Sequence, residues 1–345
     1  MHTDDRTLQE LLHATTRKQH AELNKTILAR LPLCLPPHTS SPEAYYTGLL
    51  LFSHIYTTLE RVSQELLRHS PATTTATDHS RTRTILSPLQ TPCLARSAAL
   101  QHDLTRLRAR LGRSTHPVSV TRQAESMTAS MCTAVTAKPH LALAYAWTMY
   151  LALFNGGRHI QRALTSHSPS HSQSQSQSQP RSNSHPPSHT SASTKAEFWT
   201  DDTAASLTFW QFPSSSSADG AETIKSTFKQ RFDTASSLLT ETEKTEVAEE
   251  GRRCFELCAD MVRWLDGYML SLSNSRLESN CEQQTKEEEA EQVQHDKPIN
   301  SNPQRYGSST GSRTIPGINP PGWLTAFFSS WSWPQTARQQ INLVE

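Results

Sequence analysis

The amino-acid sequence predicts an all-α protein, and three observations carry that expectation. Glycine is scarce, at 11 of 345 residues. Leucine-rich stretches repeat at spacings of three and four, the period of one helix face. Helix-start signals stand where those stretches begin: Ser41-Pro42-Glu43 offers a cap, a first-turn proline and a first-turn anion, and Thr240 with Glu243 forms a capping box.

The first helix is expected from about Asp5 to Leu31, with Leu8, Leu12, Thr16, His20, Leu23, Ile27 and Leu31 on one face. Proline at 36 and 37 ends it. A second helix, 43–69, carries Tyr45, Leu49, Phe52, Tyr56, Leu59, Val62 and Leu66. Residues 70–93, rich in Thr, Ser and Pro, read as a long loop. Helices follow over 94–111, stopping at Gly112, then over 118–136, and from Pro139 to Leu164. The run 166–196 is almost wholly Ser, His, Gln, Pro and Asn; it buries too little apolar surface to offset its ordering entropy, so disorder is expected. Order resumes near Phe198, with a helix over 220–237 and a last long helix from Thr240. After Ser275 the chain turns polar and acidic, then rich in Pro and Gly, and reads as a tail. The expected organisation is one helical domain over 1–275 and a disordered tail over 276–345.

An apolar fraction of 35% and a mean hydropathy of −0.59 place much of the chain outside any core. A net charge of +1 gives no global steering toward nucleic acid or an anionic membrane, so no nucleic-acid partner is expected. The six cysteines show no paired spacing and signal neither a disulfide framework nor a zinc site. Cys254 and Cys258, one turn apart, read as small core hydrophobes in preference to metal ligands. The start of the chain has no basic and apolar leader, so a reducing, cytoplasmic setting is expected. The segment 322–331 (GWLTAFFSSW) is far short of the ~20 residues of a membrane span, although Trp323, Phe327 and Trp331 would share a face. It permits weak membrane-surface contact or a docking peptide, against a merely sticky tail.

His20 lies on the apolar stripe of the first helix, and neutral imidazole is a good iron ligand. Alone it reads better as a core histidine satisfied by a hydrogen bond. Gly156 and Gly157 sit inside a helix, where each costs about 1 kcal/mol relative to alanine. Close approach of something flat or bulky would justify the pair, as would a kink or a tight crossing. Lys225, Lys229 and Arg231 form a cationic cluster, and Arg17 lies one turn before His20; such cations suit ligand carboxylates, though most surface cations are simply solvated.

Together these stretches resemble the heme oxygenase family. RKQHAELN around His20 is similar to the proximal-helix motif, whose histidine binds heme iron. FSHIYTTLE (52–60) and RSAALQHDL (96–104) resemble two further stretches. YLALFNGGRHI resembles the distal-helix motif, whose glycines let that helix bend over the heme. FWQFP (209–213) with Lys225, Lys229 and Arg231 resembles the Phe-rich turn and the basic helix that grips propionates; TEVAEEGRRCFELC follows as the last helix. The resemblance covers about 5–272 and implies a heme oxygenase-like bundle. It implies heme as substrate and cofactor, iron held by His20, and Gly156 and Gly157 shaping the distal wall. Arg17, Lys225, Lys229 and Arg231 would anchor propionates, and an external reductase would supply electrons.

The chain departs from the pattern where it bears on mechanism. Leu153 stands where the family carries a distal aspartate that orders proton-delivering water; Trp147 replaces a propionate-holding tyrosine and Met149 a distal arginine. Leucine neither donates nor accepts a hydrogen bond. Asn155 beside the glycines is a poor proton relay. Three functions stay open: oxidative cleavage of heme to biliverdin, iron and carbon monoxide; a catalytically degenerate heme sensor, buffer or carrier; and a helical scaffold without cofactor. No flavin or nicotinamide fingerprint is present, so any reductant must be a partner. The His-rich insertion (His167, His171, His185, His189) reads as a solvated linker, with loose metal binding the lesser alternative.

Overall fold

A computed structural model of the chain describes residues 6–34, 42–68, 76–111, 117–165, 207–212 and 218–295. Helices and short 3-10 turns make up nearly all of them, and no strand occurs among the described residues. The all-α expectation holds. The expected disorder over 166–196 and the segment 322–331 lie outside the described residues.

Helix α1 (Leu8–Arg30) opens on a reciprocal capping box, Thr7 Oγ1 accepting from the Glu10 amide at 3.3 Å and Glu10 Oε2 from the Thr7 amide at 2.9 Å. A 3-10 turn, Leu31–Cys34, closes it just before the prolines. Helix α2 (Glu43–Arg68) is the central element and packs against α4 (Ser97–Leu111), α5 (Pro117–Ala137) and α6 (Ala142–Thr165). Its burial accordingly exceeds one stripe: Tyr46, Leu50, Leu51 and Ile55 are buried beside the expected Tyr45, Leu49, Tyr56, Leu59 and Val62.

The stretch expected as a long loop, 70–93, instead contains α3 (Ala76–Ile85) and a 3-10 turn, Ser87–Gln90. Its composition favours neither, so tertiary contacts decide. Ile85 and Leu86 enter the core, and Arg81 pairs with Glu243 at 2.7 Å. Helix α7 (Ala218–Ser236) follows 207–212, and α8 (Glu241–His295) starts at the predicted Thr240–Glu243 box. Helix α8 runs past Ser275, where the tail was expected to begin; residues 276–295 are rich in Glu and Gln and contain no Gly or Pro. The chain divides into two units, Met1–Arg263 and Trp264–Glu345. Within the second, Trp264 and Tyr268 stack at 4.9 Å.

Two buried carboxylates tie the first unit together. Glu60 accepts the amides of Arg96 (2.7 Å) and Ser97 (3.2 Å), the Ser97 hydroxyl (2.6 Å) and the Tyr150 hydroxyl (3.0 Å), capping α4 from α2. Asp103 accepts the amides of Thr208 and Phe209 at 2.8 Å each. The Arg96 guanidinium donates to the carbonyls of Leu94 and Gln211 and lies 4.4 Å over the Phe212 ring. Residues 207–212 are thereby strapped onto α4. Glu60→Ala strands several buried donors at once and is expected to cost about 3 kcal/mol or more. A urea midpoint unchanged from wild type would refute that role.

Candidate functional site

His20 sits on the buried-facing stripe of α1 and is itself half-buried. The Asn24 amide, one turn on, donates to Nε2 at 2.9 Å, and the Phe255 ring of α8 meets the imidazole edge-on at 5.6 Å. Burial first, then the charge of His13, lowers the His20 pKa to about 4, so the imidazole is neutral at pH 7 with a lone pair to offer. Helix α1 can approach α8 here because of Gly251. A methyl group there would meet Leu12 Cδ2 at 2.7 Å and Thr16 Cγ2 at 3.4 Å, both on the His20 stripe. Gly251 was not singled out from sequence. A glycine inside a long helix pattern was the available signal.

On α6, Leu153 is 2% exposed and Met149 5% exposed, while Gly156 and Asn155 are half-exposed. Gly157 is buried, and a Cβ on it would lie 3.0 Å from Trp210 Cε3 and 3.4 Å from Leu153 Cδ1. The flat group that approaches this glycine is thus an indole. Trp210 is fixed by donating from Nε1 to the Tyr45 hydroxyl at 2.8 Å and by its place in the strapped 207–212 segment. Alanine in an exposed helix interior gains about 1 kcal/mol over glycine. At Gly157 the rigid ring reverses that sign: Gly157→Ala is expected to lower the melting temperature, and Trp210→Leu to restore the gain. A Gly157→Ala chain melting above wild type would show that the indole exerts no constraint.

The predicted cations fall into different surroundings. Lys225 is half-buried and 3.6 Å from Glu222. Lys229, one turn along α7, has its pKa lowered by partial desolvation and then by Lys225, which marks a place where an added anion would be favoured. Arg231 directs Nη1 at the carbonyls of Gln90 (2.9 Å) and Ser87 (3.3 Å), holding α7 to the 3-10 turn. Arg17 is exposed on α1, close enough to His13 to lower that pKa after burial. Among the described residues, no group of three His, Cys, Asp or Glu could hold a metal ion, and no helix is long and apolar enough to cross a membrane.

No curated protein sequence matches the chain. Among solved structures, a Chlamydomonas reinhardtii heme oxygenase 2 crystallised without heme is similar at 19% identity and a TM-score of 0.48, over 75% of this chain and 97% of that one. The heme complex of Synechocystis heme oxygenase-1 is similar at 15% identity and a TM-score of 0.45, over 80% and 100%. A Leptospira interrogans heme oxygenase is similar at 14% identity and a TM-score of 0.44, over 74% and 98%. The family model described as heme oxygenase matches residues 6–264, three quarters of the sequence and every stretch that builds the site, and on that match the chain belongs to the heme oxygenase family.

Proposed function

We propose that this protein binds heme through His20 and, given an external reductase, opens it to biliverdin, iron and carbon monoxide. One observation carries the binding half: a neutral, half-buried imidazole on α1 whose Nε2 is engaged by a side-chain amide of its own helix, a partner that a rotamer change moves aside. Its donor chemistry fits heme iron. Bound heme would supply both the iron centre for oxygen chemistry and the carbon skeleton to be cleaved.

The chain's own residues do the rest. His20 Nε2 gives its lone pair, and Phe255 fixes the ring plane. Lys229 and Lys225 are the cations best suited to propionate carboxylates, with Arg17 beside the proximal turn and Arg231 contributing through nitrogens other than the one that holds backbone. Gly156 and Gly157 keep the α6 backbone bare of side chains, and Trp210 already uses that space at Gly157. The proposed setting is cytoplasmic, with the heme-binding domain over 1–275 and weak surface contact through 322–331.

Leu153 favours a second reading, a heme buffer, sensor or carrier. Buried and apolar, it excludes water from the place where proton delivery is needed. Incubating the purified protein with hemin and a reductant separates the outcomes. Decay of the Soret band into a bilin spectrum supports the enzyme, and a stable Soret band supports the carrier. No Soret shift at all removes both and leaves a helical scaffold.

A further inference from the structure

Buried sulfur collects at one place between α6 and α8. Cys258 Sγ lies 3.9 Å from Met149 Sδ. Cys254 lies one turn earlier on α8, on the same face as Cys258. The three sulfur residues are 0%, 3% and 5% exposed for Cys254, Cys258 and Met149. The geometry points to a buried site for one soft monovalent metal ion, Cu(I), held by Cys254, Cys258 and Met149.

Two features select that ion. Thiolate and thioether donors are soft and prefer Cu(I) over the hard cations. Metal–thiolate bonds of about 2.3 Å place three donors around a trigonal ion about 4 Å apart, and the Cys258–Met149 separation of 3.9 Å matches one edge of that triangle. Both helices are long, so the donors are pre-positioned on rigid elements. The usual His/Cys/Asp/Glu donor triads are absent among the described residues because the third donor here is a thioether.

Binding balances as follows. The metal stays Cu(I), two S–H protons leave to solvent, two thiolate–copper bonds form, and the methionine sulfur donates a lone pair.

The test uses the full chain with Cys34, Cys93, Cys132 and Cys281 changed to serine. It is titrated anaerobically with Cu(I) against the chromogenic chelator bathocuproine disulfonate, without heme. One equivalent withheld from the chelator is expected. Met149→Leu, which conserves volume and keeps the fold, is expected to weaken retention at least about 10-fold, and Cys258→Val to abolish it. Copper held by histidines elsewhere is common to all variants and subtracts out. Equal retention in the parent and Met149→Leu chains, or full surrender of copper by the parent, overturns the site and leaves the sulfurs as core packing.

Discussion

His20→Ala is expected to abolish histidine ligation of bound hemin while leaving the fold nearly untouched. The side chain is half-buried and its hydrogen-bond partner Asn24 lies on the same helix, so its loss costs about 1 kcal/mol in stability. The effect on hemin is far larger. Removing a mere outer partner of a metal site costs about 10–100-fold in affinity, and removing the ligand itself exceeds that. The Soret position and its ferric low-spin features, followed in a hemin titration, check this. A His20→Ala spectrum identical to that of wild type would end the heme proposal. The pH dependence has a definite sign. The folded-state pKa of His20 is depressed from 6.5 to about 4, so the unfolded chain binds the extra proton first. Stability is therefore full above pH 6.5 and declines as pH falls toward about 4, below which this group adds no further loss. Over the same range the folded imidazole stays neutral, so ligation is expected to persist through about pH 5.

Leu153→Asp is expected to raise the yield of heme cleavage at a stability cost. Leu153 is 2% exposed and its Cδ1 packs at Gly157, so a carboxylate there loses apolar contact and enters a poorly solvated place. A loss of about 3 kcal/mol is expected, read as a lower melting temperature in the apoprotein. The gain is an acceptor that can hold water on the distal helix, which otherwise lacks Asp or Glu from Pro139 to Thr165. Bilin yield with hemin and a reductant is the readout. Leu153→Asn is the control, since an amide can order water but not relay a proton. A folded, heme-loaded Leu153→Asp chain with no more bilin than wild type would show that residue 153 is not what limits turnover.

How far the sequence reached differs from residue to residue. His20 was legible because periodicity alone places it on the stripe of Leu12, Thr16 and Leu23. The α8 start was legible because a capping box is a local, four-residue device. Helix α3 was not, since its Thr-rich sequence favours no helix by itself and its contacts are distant: Arg81 reaches Glu243, 162 residues away. Arg231 was legible as a cation of the α7 cluster, and only the structure shows that its Nη1 also holds the carbonyls of Ser87 and Gln90. Glu60 and Asp103 sit in stretches that carried the family resemblance, yet their chemistry is structural: each collects buried donors from a distant segment.

By itself, then, the sequence determined the helical class, most helix limits and the ligand candidate, because capping and the 3.6-residue period act within a few turns. Tertiary structure alone decided that Trp210 occupies the space at Gly157, that Gly251 lets α1 meet α8, and that Met149 meets Cys258. Those pairings span from about 50 to over 200 residues of chain, and such contacts follow from which surfaces close-pack, not from local propensity.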